Sequence, residues 1–102
     1  MDRKVLEQML EQGQDNPLLR YTLGTLCLKS GEAEAAARHL EVALRQDAGH
    51  SASWKFLGKA LVELGRLDEA RTVYEKGIAV AEEKGDVQAA KEMKVFLKRL
   101  SG

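Results

Sequence analysis

The stretch WKFLGKALVELGRLDEA, residues 54–70, has the apolar spacing of a helix yet carries two glycines, Gly58 and Gly65, seven residues apart. A glycine inside a helix costs about 1 kcal/mol relative to alanine, so each must meet some other need. Sliding the sequence along itself shows what the need is. At an offset of 34 residues, PLLRYTLGTLCLKSGEAEAAARHLEVAL (17–44) falls on SASWKFLGKALVELGRLDEARTVYEKGI (51–78). Leu23 meets Leu57, Gly24 meets Gly58, Gly31 meets Gly65, Ala36 meets Ala70, Leu40 meets Tyr74 and Glu41 meets Glu75. Gly24 and Gly58 therefore stand mid-helix on the face that meets the following helix, with Ala36 and Ala70 expected opposite, so that two antiparallel backbones can approach. Gly31 and Gly65 are expected to form the turn inside each pair, where a positive φ excludes larger residues.

Working outward, apolar residues recur at helical spacing throughout and no period-two window is long enough for a strand, which predicts an all-α fold. The first helix is expected from about Asp2 to Gln12, with Val5, Leu6, Met9 and Leu10 on one face and Gly13 as its stop. Asn16 and Pro17 restart the helix as cap and first helical residue, and Gly31 ends it. A third helix is expected from Glu32 to about Gln46, closed by Gly49. Ser51 is read as the cap of a fourth that ends at Gly65. A fifth spans about Leu67 to Glu83, and Asp86 caps a last helix to about Leu100. The loop glycines Gly49 and Gly85 are 36 apart (85 − 49), so the second unit is about two residues longer than the first. Shifted accordingly, Ala90, Met93 and Leu97 fall on packing positions, and Lys94 falls where Gly24 and Gly58 stand. A lysine there implies no following helix, so the last helix reads as a cap. The whole chain is thus expected to be one domain: residues 1–16 a half-unit helix, 17–50 and 51–84 two full units, and 85–102 the capping helix.

The totals narrow the function classes. At 102 residues the chain fits one small domain, which buries only about 60–65% of the surface its unfolded chain exposes. Sixteen basic and sixteen acidic side chains cancel, so no global field draws it to nucleic acid or an anionic membrane. The N-terminus lacks the apolar run of a signal peptide, and nothing approaches a membrane span. The single Cys27 excludes an internal disulfide and a cysteine-built zinc site, and reads as a small buried residue in a protein of the reducing cytoplasm. His39 and His50 have no carboxylate or cysteine at ligand spacing and read as solvated surface residues. No phosphate-binding glycine loop, nucleophile elbow or H-E-x-x-H occurs, so neither an enzyme nor a bound metal or cofactor is expected.

Trp54, Leu57, Gly58, Gly65, Ala70 and Tyr74, at these spacings in a 34-residue helix-turn-helix unit, resemble the tetratricopeptide repeat family. The first unit departs more, with Arg20 in place of the tryptophan, Cys27 of a tyrosine and Ala48 of a late proline. The two units cover residues 17–84. The resemblance implies antiparallel helix pairs stacked as a right-handed superhelix, whose first helices line a concave groove that takes a peptide or helix of a partner protein. By the same resemblance the groove positions are Leu18, Tyr21, Thr22, Thr25 and Lys29 in the first unit, and Lys55, Phe56, Lys59 and Val62 in the second. The cap adds Lys91, Val95, Lys98 and Arg99. A groove so lined is partly basic and suits an acidic segment. Tyr21 and Thr25 stand where some members carry a lysine and asparagine that clamp a terminal carboxylate, so a looser basic groove is implied here. A different reading is a self-associating structural module, a weak homodimer formed through apolar faces of the terminal helices around Leu6, Met9 and Leu10 or Met93, Phe96 and Leu97.

Overall fold

The computed structural model describes residues 2–101 and, among them, six helices and no strand: α1 (Arg3–Glu11), α2 (Pro17–Lys29), α3 (Ala33–Gln46), α4 (Ser51–Glu63), α5 (Leu67–Lys84) and α6 (Val87–Ser101). Local chemistry starts three of them. The Asp2 carboxylate accepts from the Lys4 amide at 3.1 Å, the Asn16 side chain from Leu19 at 2.9 Å, and Asp86 from Ala89 at 3.2 Å, each satisfying an orphan amide of the first turn. Pro17 occupies the first turn of α2, where its missing N–H costs nothing.

The turns inside the two repeats are built to one pattern. At the α2–α3 turn the Glu32 amide donates to the Cys27 carbonyl at 2.9 Å and the Gly31 amide to Leu28 at 3.1 Å. At the α4–α5 turn Arg66 donates to Leu61 at 2.9 Å and Gly65 to Val62 at 3.0 Å. The two sets match residue for residue at the 34-residue offset, and Gly31 and Gly65 have φ of 77° and 74°. This left-handed closure absorbs the last free carbonyls of the helix and reverses the chain. The α3–α4 connection differs from expectation. Gly49 does not have a positive φ, and Asp47 ends α3 in an extended conformation. The Gly49 carbonyl instead accepts from Lys84 Nζ at 2.8 Å. Nor does Ser51 cap α4: it is the first helical residue, and its hydroxyl donates to Asp86 at 2.8 Å, tying the start of α4 to that of α6.

The helices stack in two layers. α2 packs on α3, α3 on α4, α4 on α5 and α5 on α6, while α4 also touches α2 and α6. So α2, α4 and α6 form one face, with α3 and α5 behind it. The stack measures 42 × 28 × 20 Å. Its central core joins Cys27, Ala36, Ala37, Leu40, Leu57, Leu61 and Ala70, and a second cluster joins Tyr74, Ala81, Ala90 and Met93. α1 touches only α2, through Leu6 against Leu19 and Leu23, and the Arg3 guanidinium pairs with Glu32 in the α2–α3 turn.

The mid-helix glycines do permit close helix contact, though not with the expected partners. A Cβ on Gly24 would lie 2.6 Å from Leu40 Cγ, and one on Gly58 would lie 2.2 Å from Tyr74 Cε1 and 2.5 Å from Cζ. The space is thus filled by large side chains of the following helix, one turn beyond Ala36 and Ala70. Those alanines are themselves fully buried in the central core. A third glycine, Gly77, serves the same end at α6, where a Cβ would lie 2.5 Å from Met93 Sδ and 2.7 Å from Trp54 Cβ.

Candidate functional site

The α2–α4–α6 face carries a trough of about 630 Å³, within the size range of ligand pockets. α2 and α4 contribute from their middle to their C-terminal ends, and α6 from its C-terminal half. Tyr21, Thr25, Leu28 and Lys29 come from α2, Phe56, Lys59, Val62 and Glu63 from α4, and Phe96, Arg99 and Leu100 from α6. Tyr74 reaches it from α5 behind. Helical periodicity explains the set, because steps of three and four on each parallel helix point one way.

Aromatic rings and cations share this trough. Tyr21 meets Phe56 edge-on at 5.8 Å, and Tyr74 meets Phe96 at 5.8 Å. Lys59 Nζ sits 5.1 Å from the Phe56 ring centre and 4.9 Å from that of Phe96, bridging α4 and α6, and the Arg99 guanidinium lies 5.8 Å from Phe96. Such stacking holds a cation over a ring face without neutralising it. Lys29, Lys59 and Arg99 form no ion pair among the described residues, and Glu63 is the one acidic side chain lining the trough. Burial pushes the Tyr21 phenol above its ordinary pKa and that of Tyr74 up to about 12, so both stay protonated at neutral pH.

Of the positions expected in the groove, Tyr21, Thr25, Lys29, Phe56, Lys59, Val62 and Arg99 line the trough. Lys55 does not. Its ammonium pairs with Glu92 at 3.2 Å and only 17% of the side chain is exposed, so it pins α6 to α4. Thr22 turns its hydroxyl back to the Leu18 carbonyl at 2.8 Å, and Leu18 stands 66% exposed away from the trough. On α6 the lining falls at Phe96, Arg99 and Leu100 rather than at Lys91, Val95 and Lys98. The helix is set by Met93 against Gly77, by the Lys55–Glu92 pair and by a Lys94–Glu82 pair at 2.8 Å. Lys94 is exposed, and Ala90 and Met93 are buried, as the shifted alignment implied. Leu28 and Glu63 were legible in the sequence as the next helical steps from Thr25 and Lys59. Tyr74 was singled out only as a packing residue.

The residues considered for self-association are largely used within the chain. Leu6 is 2% and Met93 0% exposed, while Met9, Leu10, Phe96 and Leu97 pack partly buried against the core.

Neither histidine is solvated as expected. His39 is half-buried between α2 and α3, its Nδ1 3.2 Å from the Arg20 guanidinium, which also holds Asp15 through two bonds of 2.8 Å. Burial, reinforced by the Arg20 charge, lowers the His39 pKa. The arginine and Gln46 together hold the Asp15 carboxyl down at about 2. His50 packs edge-on to Tyr21 at 4.9 Å, and its Nδ1 lies 2.7 Å from the Ser53 hydroxyl. Ser53 is completely buried, so the pair braces the start of α4 and its hydroxyl reaches no substrate. Cys27 is a free, fully buried thiol. Among the described residues no cluster of three metal-ligating side chains occurs, and no helix is long and apolar enough to cross a membrane.

A fold of stacked antiparallel helix pairs with an open trough along its first helices defines a helical-repeat protein. The sequence model of the tetratricopeptide repeat matches residues 3–54 and again 28–93, so the chain belongs to the tetratricopeptide repeat family. It is 52% identical over 95 residues to a TPR repeat-containing protein of Pseudomonas aeruginosa, covering 93% of this chain and 90% of that one. The solution structure of a Bordetella parapertussis protein superposes with a TM-score of 0.86 at 44% identity, over 99% of this chain and 88% of that one. A crystal structure of a tetratricopeptide repeat domain protein from Salinibacter ruber gives 0.81 at 30% identity, over 86% and 98%. Repeats of this family generally serve in protein–protein interaction and are generally non-catalytic.

Proposed function

We propose that this protein binds a segment of a partner protein in the α2–α4–α6 trough and performs no chemistry of its own. The observation that carries the reading is the composition of the trough: half-buried aromatic and aliphatic surface beside Lys29, Lys59 and Arg99, none of which pairs with a carboxylate among the described residues. Cations left without an internal partner are available to one that arrives from outside, and rings beside them supply the apolar area on which affinity depends. A lone buried thiol suits a reducing compartment, and we take the cytoplasm as the place of action.

The test uses the full chain as bait in lysate of its source, with partners identified by mass spectrometry, beside the variant Lys59→Glu. The expected result is a partner captured by the parent and lost by the variant at unchanged melting temperature. Capture that does not respond to Lys59→Glu removes the trough as the binding surface.

A further inference from the structure

Tyr74 belongs to the rear layer, yet its phenol reaches the front. The ring lies flat against the backbone of α4 because position 58 has no side chain: a Cβ there would come within 2.2–2.7 Å of three ring carbons. In the first unit the equivalent contact is Leu40 on Gly24, which ends in methyl groups and brings no polar atom forward. The Tyr74 side chain is only 2% exposed, and its hydroxyl finds no hydrogen-bond partner among the described residues. No fully enclosed side-chain oxygen or nitrogen of those residues lacks a partner, so this hydroxyl has access to solvent, and the opening beside it is the trough that Tyr74 helps to line. Since the phenol stays protonated at neutral pH, it offers a donor. Phe96 is the common neighbour of the Tyr74 ring, of Lys59 Nζ and of the Arg99 guanidinium, at 5.8, 4.9 and 5.8 Å. An ammonium, a guanidinium and a phenol ring thus border one ring, Phe96, where α4 and α6 line the trough.

We propose that this part of the trough is a pocket for a side-chain carboxylate, with the Tyr74 hydroxyl as donor from its floor and Lys59 and Arg99 beside it, so that the partner is a segment with Asp or Glu interleaved with aromatic or aliphatic residues. The proposal rests on the reading of the trough as the binding face. Charge complementarity selects this occupant. Donors that lack an internal acceptor are satisfied by an anion with two acceptor oxygens. The rings of Phe56 and Phe96, on which Lys59 rests, cover the apolar neighbours of that acid. Lys29, on α2, adds a third cation to the two on α4 and α6, which favours acids spread along a chain over a single terminal carboxylate.

The probe is an N-acetylated, C-amidated peptide alternating aspartate with leucine and phenylalanine, beside a counterpart with every aspartate replaced by asparagine. Both are titrated into the isotopically labelled full chain and followed by amide chemical shifts. The aspartate peptide is expected to move the amides around Lys59, Tyr74 and Phe96, and to bind about tenfold or more tightly than the asparagine peptide, as the loss of hydrogen bonds to a charged group implies. Tyr74→Phe, which keeps the ring, is expected to weaken the aspartate peptide several-fold and leave the asparagine peptide unchanged at an unaltered melting temperature. Lys59→Met is expected to do the same, and covers the case in which Tyr74→Phe fails to fold. Equal affinity of the two peptides overturns the carboxylate pocket while leaving the trough as a binding face. Absence of shifts at the trough with the aspartate peptide overturns it as well. An effect of Lys59→Met without one of a folded Tyr74→Phe overturns the role of the hydroxyl. Failure of the trough itself has a separate signature, the lysate capture that ignores Lys59→Glu.

Discussion

At the scale of the residue, an absent side chain decides more than most present ones. Gly58 opens the path along which Tyr74 crosses α4, so adding one carbon is costly. Gly58→Ala should lower stability by about 1–3 kcal/mol, as overpacking does, although alanine gains about 1 kcal/mol in helix propensity. Gly24→Ala should cost less, because Leu40 can adjust its rotamer while a ring already backed by Phe96 cannot yield. Chemical denaturation of the two variants checks the order. The repeat alignment placed Leu40 over Tyr74 and Gly24 over Gly58, so the pieces of this contact were legible in the sequence. What was not legible was depth along the following helix, which put the contact one turn past the alanines. His39 gives a second expectation. Its folded pKa lies below 6.5 because of burial first and then the Arg20 charge, helped by Arg3 and Arg38 and opposed by Glu7. A base with a depressed folded pKa stabilises the fold fully above its unfolded pKa, and that share is lost as pH falls through the folded one. The melting temperature should therefore drop as pH falls below the ordinary histidine range, and His39→Gln, which keeps an acceptor for Arg20, should flatten the drop.

At the scale of the element, α6 shows how a cap is held. The Lys55–Glu92 pair, the Ser51–Asp86 bond, the Lys94–Glu82 pair and the seat of Met93 on Gly77 fix its rotation. The two lysines of α4 consequently have different duties despite their even spacing. Lys55→Glu would set a like charge against a half-buried Glu92 and should destabilise the chain by about 1–3 kcal/mol. Lys59→Glu should leave melting almost unchanged and act on binding. Thermal unfolding and binding measured on each single variant separate the two, and a loss of stability confined to Lys59→Glu would reverse the assignment. The sequence could not divide these roles, since four-residue spacing puts both on one helix face and only the partner helix determines which is covered. The same holds for Thr22 and for the lining of α6, where the rotation comes from tertiary contacts. Helix number, the Asn16 and Asp86 caps and the two glycine turns were readable because each depends on neighbours within a few residues, whereas Ser51 is drawn from the cap position by its bond to Asp86 in another helix pair.

At the scale of the whole molecule, the stack is close to one-dimensional, with every helix packed mainly on those next to it in the chain. Stability in such an array is a sum over neighbours, and α1 has a single neighbour. One buried leucine, the half-buried Met9 and Leu10, and the exposed Arg3 pairing with Glu32 hold it, whereas α4 is enclosed by α2, α3, α5 and α6. Opening therefore proceeds inward from the N-terminal end, and amide exchange should form a gradient: fastest in α1, slowest in α4 around Leu57 and Leu61, with Arg3→Ala steepening it only in α1. The residues slowest to open include the backbone against which the Tyr74 ring lies, so the floor of the trough persists while the end of the molecule frays. A partner that uses the trough as proposed would meet a surface already in place, and association would not wait for the chain to order itself.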